Sequence, residues 1–540
     1  MSCILLLVLV GVLSLAWLLG RRRRREGEPP LIQGWIPYLG KALDFRLDSQ
    51  AFLKNNQEKY GDVFTVYIAG WYLKWFNSNQ FCNSSSIAAD QVHHLSNSTQ
   101  YVLLLSPGKY MTFIMNPLMY PSIMKYGRQL DFHEFADQVA PATFGYPAVG
   151  SGRFPEMGDQ IQRSFRLLQG ENLVLLAECM MANLNLVLRQ DFLGGEGERG
   201  AGVVGMGWST GDLYDFCNSV MFEATFLTLY GMPAPARRHS DMATLRHHFT
   251  KFDDMFPLLV GRIPIWLLGR TKAVRETLIR YFLPQRMMCW SNTSQFIARR
   301  AEVLEQYDTL SDTDKAAHHF AILWASVGNT VPATFWALYY LINQQEALQA
   351  VRNELHQVLK LPEAQGPQQP EVIVSKEQLD QLLLMDSAVN ESLRLSSASM
   401  NIRVAQEDFS LRLDEERSAP VRKGDVIALY PQTMHMDPEI FTDPETYKYD
   451  RFIEGGREKT DFFKHGQRLK YYRMPFGSGS SMCPGRFFAI NEIKQFLCLL
   501  LLYLDLEMAQ GQEKAQLDNS RAGLGILLPT KDVRFCYRIR

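Results

Sequence analysis

The residues best suited to chemistry lie late in the chain, where Cys483 follows Pro475-Phe476-Gly477-Ser478-Gly479-Ser480-Ser481-Met482 and precedes Pro484-Gly485-Arg486 and an apolar run. This pattern puts one cysteine at the end of a glycine-punctuated loop and at the start of a helix. Glycines 477 and 479 let the backbone fold closely round a flat group, and Gly485 lets the following helix approach it. Backbone N–H groups of such a turn, with the N-terminal end of the helix dipole, stabilise a sulfur anion. The arrangement suits a thiolate ligand to haem iron, although Cys483 by itself also reads as a small buried hydrophobe. Further upstream, Trp324-Ala325-Ser326-Val327-Gly328-Asn329-Thr330-Val331-Pro332 interrupts a strong helical pattern with small and polar residues and a proline. A helix opened in this way has carbonyls free to hold water beside a ligand. The plainer reading is a proline kink with Asn329 capping a carbonyl. Glu391 and Arg394, three residues apart, share one face of another helix.

These motifs span most of the 540 residues, so one catalytic domain over 41–540 is expected rather than several. Helical patterns cover about 158–230, 240–258, 271–306, 314–358 and 376–395, and a further helix follows Cys483. Val63–Ile68 and Lys109–Met115, rich in β-branched and aromatic residues, predict two paired strands. The expected class is mainly α with small β-sheets. Between those strands, residues 71–108 lack periodicity and are too long for a hairpin turn. They form an atypical insertion, either a genuine loop or translated non-coding sequence. Residues 2–19 are uncharged and as a helix would extend roughly 27 Å, about one hydrocarbon thickness, so a transmembrane signal-anchor is expected over 2–20. Positive charge follows this segment, as Arg21 to Arg25, which keeps the catalytic domain cytosolic; a secretory signal would carry it in front. Pro29, Pro30, Gly34 and Pro37 make 21–40 a basic, Pro/Gly-rich linker. Net charge is −1, and removing the five arginines leaves −6, which argues against a nucleic-acid partner. Eight scattered cysteines without a Cys-x-x-Cys pair point neither to a disulfide framework nor to a zinc site.

The loop before Cys483 matches Phe-x-x-Gly-x-x-x-Cys-x-Gly, and on that signature the chain resembles the cytochromes P-450 over nearly all of 27–540 outside the insertion. The resemblance implies the cytochrome P-450 fold behind an N-terminal transmembrane helix. It implies haem b with Cys483 as axial thiolate and with Phe476, Gly477, Gly479 and Gly485 around the cofactor. It also implies electrons from NADPH through NADPH–cytochrome P-450 reductase, and dioxygen as co-substrate. Glu391 and Arg394, with Arg451 from Tyr449-Asp450-Arg451-Phe452, would form a buried ion network, Asp450 replacing the usual Glu. Most relatives carry Ala-Gly-x-Asp-Thr-Thr in the interrupted helix, an acid and an alcohol relaying protons; here Gly328 replaces the acid and Asn329 the first threonine. Asn329 and Thr330 are therefore the catalytic candidates: Asn donates a hydrogen bond and orients water but does not titrate, so the proton route runs through ordered water. Ser481 stands where Arg or His usually contacts a haem propionate, and no Trp-x-x-x-Arg segment appears in the expected early helix. Arg403 becomes the candidate propionate clamp, its alternative being a strand-end surface charge.

Ala325-Ser326-Val327-Gly328-Asn329-Thr330-Val331-Pro332, with Leu395 to Arg403, resembles the sterol 7α-hydroxylase branch, which includes sterol 12α-hydroxylases and prostacyclin synthases. Lys251-Phe252-Asp253-Asp254, Arg422-Lys423-Gly424-Asp425 and Asp450 to Glu454 look most like the oxysterol 7α-hydroxylases; Ser520 to Ile526 also resembles the cholesterol 7α-hydroxylases. The implied activity is 7α-hydroxylation of a sterol or oxysterol in cholesterol catabolism and bile acid synthesis, at the endoplasmic reticulum membrane. A haem-thiolate isomerase of the prostacyclin synthase type, working without reductase, is the alternative from another class. Lys464, His465, Arg468, Lys470 and Arg473 form a basic run that reads either as a solvated face or as a steering surface for an acidic reductase. Phe256 to Gly269 is apolar enough to dip into a bilayer, or to form a buried turn.

Overall fold

A computed structural model describes residues 11, 22–34, 40–68, 109–149, 154–191, 207–231, 238–360 and 371–540. The body is built on helices α1 (Glu171–Asp191), α2 (Leu213–Tyr230), α3 (Arg238–Asp253), α4 (Asp312–Val327), α5 (Thr330–Asn343), α6 (Leu383–Ser396) and α7 (Arg486–Tyr503). Helices α2, α5 and α7 are apolar on almost every side, so they can only be central. They pack with α1 and α6 round one continuous apolar core. Helix α1 is long and apolar enough to cross a membrane by composition, yet it lies against α2 and α7 and is half buried by them. A capping box, Ser311 with Asp314, starts α4.

Beside this helical body stands a six-stranded mixed sheet in the spatial order Leu31–Ile32, Val63–Ile68, Lys109–Ile114, Val426–Leu429, Asn401–Ala405, Leu130–Asp131. The expected pairing of Val63–Ile68 with Lys109–Ile114 is present and antiparallel, from Val63 opposite Ile114 to Ile68 opposite Lys109. Phe64, Phe113, Phe45 and Tyr430 pack edge and face into the apolar layer beneath the sheet. The mainly helical architecture with small sheets is as expected. The expected anchor over 2–20, Gly11 apart, and the expected insertion over 71–108 lie outside the described residues.

Two stretches differ from expectation. The helical pattern expected over 158–230 is broken by Ser209–Asp212, an edge strand pairing antiparallel with Arg534–Tyr537 near the C-terminus. Its partner lies more than 320 residues away, so no local pattern could announce it. Part of the expected linker is also built into the domain. Leu31 and Ile32 pair in parallel with Thr65 and Val66, and Glu28 is buried among cations. Its carboxylate accepts from Arg22 at 3.2 Å and from Arg422 at 2.8 Å, and Arg22 also reaches Asp425 at 2.5 Å. Burial alone would raise this carboxyl, but the Arg422 hydrogen bond, the Arg25 amide and the two guanidinium charges hold it down to about 2.

Candidate active site

A cavity of about 460 Å³ lies where four segments distant in sequence converge. The Cys483 loop and the start of α7 form one wall, the α4–α5 break a second, Ser399 to Ile402 a third, and Leu524 to Ile526 a fourth. Its remaining lining is mostly apolar, with Phe132, Phe165, Leu168, Leu229, Phe296 and Ile322 among the contributors.

In the cysteine loop, the Cys483 amide donates to the Phe476 carbonyl at 2.8 Å, which closes the turn. Gly477 and Gly479 have φ of +73° and +62°, a region that other residues enter only with strain. An added Cβ at Gly477 would stand 3.1 Å from Asn401 Oδ1, and one at Gly479 3.0 Å from Met124 Sδ. Gly485 has ordinary backbone; a Cβ there would fill space beside Leu168 and the Cys483 sulfur, at 3.8 and 4.0 Å. Its role is therefore to leave room, not to permit a conformation. Burial pushes the Cys483 thiol up, beyond what the Gly485 and Arg486 amides and the Arg486 charge recover. The amides of the turn and the Arg486 charge favour the anion and burial opposes it, and a cation bound to the sulfur would favour the thiolate further.

Helix α4 ends at Val327, and α5 restarts at Thr330. Asn329 occupies the N-cap position of α5 but makes no capping bond. Its Oδ1 instead accepts the Ile526 amide at 3.0 Å. With Oδ1 taken, the Nδ2 hydrogens are the part of the amide left for the cavity. Gly525 makes this approach possible, because a Cβ there would lie 2.1 Å from Asn329 Oδ1. Thr330 lines the same cavity. The Leu524–Ile526 turn is itself anchored: Ala398 donates to Gly525 O at 2.9 Å, and Leu527 donates to Ser396 O at 3.0 Å. Arg521 just before it pairs with Asp253 at the end of α3 at 3.0 Å, and Trp324 of α4 donates to Asp253 Oδ1 at 2.8 Å.

Glu391, Arg394 and Arg451 come together. Arg394 donates to both Glu391 oxygens at 2.7 and 2.9 Å, and Arg451 Nε donates to Oε1 at 2.7 Å. The Lys448 amide adds a further bond at 3.2 Å, and neither Glu391 nor Arg394 is exposed. Arg403 is buried rather than a surface charge. Its guanidinium donates only to carbonyls, Ile402 O at 2.8 Å and Ser478 O at 2.9 Å, besides a Met124 sulfur contact. Much of the basic run after residue 463 is paired with acids that precede it: Lys464 with Asp437 and Glu439, Arg468 with Asp461, Arg473 with Glu458. That leaves it closer to a solvated face than to a strong steering field.

A family model described as cytochrome P-450 matches residues 208–537. The chain belongs to the cytochrome P-450 family. Among its relatives, a cholesterol 7-alpha-monooxygenase of Cricetulus griseus is 39% identical over 96% of this chain and 95% of that protein. A 25-hydroxycholesterol 7-alpha-hydroxylase of Rattus norvegicus is 37% identical over 78% of this chain and 99% of that protein. A 7-alpha-hydroxycholest-4-en-3-one 12-alpha-hydroxylase of Oryctolagus cuniculus is 36% identical over 99% and 98%.

The residues of this cytochrome P-450 fit a haem. Gly485 leaves room beside the Cys483 sulfur, and on the cavity wall Asn401 Nδ2 is a buried donor with no partner among the described residues. Close to it, Arg403 is a buried cation with no carboxylate in ion-pair contact among the described residues. A donor on the cavity wall and a buried cation two residues along the same strand are what the carboxylates of a haem require. Three contributors escaped sequence reasoning: Asn401, the Gly525–Ile526 turn and Glu492, a buried acid of α7 that lines the cavity. The closely spaced Gly523 and Gly525 were a signal for a close backbone approach, and a lone acid within the apolar run from Phe487 was a signal for a buried carboxyl.

Proposed function

We propose that this cytochrome P-450 is a monooxygenase that hydroxylates a sterol or oxysterol at the 7α position, in cholesterol catabolism and bile acid synthesis. The observation that carries the reading is the shared cavity: Cys483 and an Asn329 amide held in one orientation line the same mostly apolar space. The names of the 7α-hydroxylating relatives direct it to sterols. Haem held by the Cys483 sulfur would supply the dioxygen and one-electron chemistry. Arg403 and Asn401 would hold its carboxylates, with Phe476, Gly477, Gly479 and Gly485 shaping the cradle. Glu391, Arg394 and Arg451 would lock the fold on the cysteine-loop side. Asn329 would donate from Nδ2 into the cavity, and Thr330 would pass a proton at Oγ1 between ordered waters. The apolar lining would orient the steroid and exclude bulk water. Electrons would arrive from NADPH through NADPH–cytochrome P-450 reductase. The chain would sit in the endoplasmic reticulum membrane by a single N-terminal span, its catalytic domain cytosolic. Trp266 and Leu267, 64% and 43% exposed at the tip of the Phe256 to Gly269 segment, suit a route for a bilayer-dissolved substrate.

Membranes containing the protein and reductase, incubated with cholesterol, 25-hydroxycholesterol, 27-hydroxycholesterol and dehydroepiandrosterone, should yield a 7α-hydroxyl only when NADPH is present. Cys483→Ser should abolish both this product and the carbon monoxide difference band in the Soret region. A new hydroxyl at carbon 12, or rearrangement of an endoperoxide without NADPH, would overturn the reading.

A further inference from the structure

Behind the cavity wall stands a charge that the chain leaves without a partner. Arg300, on the helix Gln295–Glu305, is 4% exposed, and its Nε and Nη1 are buried with no hydrogen-bond acceptor among the described residues. The other buried Lys and Arg side chains described are engaged. Arg238 pairs with Glu223, Arg394 with Glu391, Lys494 with Asp386 and Arg521 with Asp253, while Arg352 and Arg403 donate to backbone carbonyls. What Arg300 meets instead is aromatic. Its guanidinium carbon lies 5.6 Å from the ring centroid of Phe165 and 6.0 Å from that of Phe296, and the two rings, 5.5 Å apart, both line the cavity. Ring faces offset part of the cost of burying a cation but carry no net charge. The titratable groups that feel this charge are themselves neutral at pH 7. Burial, and then the Arg300 charge, hold His318 and His319 of α4 down to about 3, while burial pushes Tyr146 up to about 12 and Tyr230 higher. Burial lowers Arg300 itself to about 10, which leaves it charged at neutral pH.

An ion buried without a counter-charge is costly, and the cost falls when negative charge comes near it. The cavity that Phe165 and Phe296 line is the place for such charge. A haem with a bound thiolate and two carboxylates is anionic, and one added electron makes it more so. We propose that Arg300 is the electrostatic partner of the reduced cofactor, a fixed cation behind Phe165 and Phe296 that raises the reduction potential of a haem held in the cavity. This role rests on the haem-thiolate reading of the site. The electron comes from the reductase, and no bond forms or breaks at Arg300. Its charge acts across an apolar layer, where screening by water and salt is weak.

The test is a spectroelectrochemical titration of the sterol-free holoenzyme, comparing wild type, Arg300→Lys, Arg300→Gln and Arg300→Met. Both neutral variants should be harder to reduce. Their equilibrium constant for taking up one electron should fall about tenfold, a downward shift of about 59 mV, while Arg300→Lys, which keeps the charge, should stay near wild type. A merely structural role would lower haem content or the midpoint of thermal unfolding and leave the potential of the remaining haem where it was. Neutral variants with the wild-type potential overturn the assignment, and so does a lysine variant shifted as far as the neutral ones. Loss of haem from both neutral variants overturns it as well, since the charge would then serve assembly and not potential. A wild type that binds no haem overturns the haem-thiolate reading and this role with it. A wild type inert on every sterol whose neutral variants still show the shift overturns the sterol reading alone.

Discussion

Gly525 shows how a single residue far from the cysteine loop governs the site. It stands 196 positions after Asn329, one fewer than the Asn329–Ile526 separation of 197, and the missing side chain is what lets Ile526 reach Oδ1. Gly525→Ala would place carbon 2.1 Å from that oxygen, so either the turn or the amide must move. Sterol hydroxylation should drop at least tenfold with haem content unchanged, because displacing a positioned donor by about 1 Å is that costly. Adding Asn329→Ala should cause little further loss, which turnover of the double variant checks. Cys483, Asn329 and Thr330 were legible because their chemistry resides in residue type and local spacing. Arg403 was legible as a candidate, but only the structure shows that it is buried, with no carboxylate in ion-pair contact among the described residues.

Elements are held round the cavity by polar ties that cross between them. Glu391 joins α6 to the segment that carries Arg451, and α3, α4 and the C-terminal turn meet at Asp253 through Arg521 and Trp324. Glu391→Ala would leave two guanidinium groups in the interior without their carboxylate. It should lower stability by roughly 3 to 5 kcal/mol, read from denaturant unfolding of the holoenzyme. The interruption between α4 and α5 was visible in sequence because Gly328 and Pro332 oppose an otherwise apolar helix. The strand Ser209–Asp212 was not, since its only cause is pairing with Arg534–Tyr537.

For the molecule as a whole, Glu28 fastens the N-terminal segment onto the sheet. Its folded-state carboxyl lies at about 2, below the ordinary 4.5, so the stability it contributes is complete above about 4.5 and is lost as pH falls from there towards 2. Glu28→Gln should flatten this acid limb of the unfolding curve and free residues 22–34 to a protease at neutral pH. The opposite end of the chain is built in as well, with Arg534–Ile539 paired between Leu504–Met508 and Ser209–Asp212. Both ends of the domain are thus tied down by partners hundreds of residues away.

Sequence alone determined the family, the cysteine, the helical class and the paired strands at 63–68 and 109–114, because each is written in residue type at short spacing. Tertiary structure alone decided that Asn329 is oriented by Ile526, that Glu492 joins it in the cavity wall, and that Arg403 is buried. Burial, and for Asn329 a partner 197 residues away, set these properties, and neither is a function of local sequence.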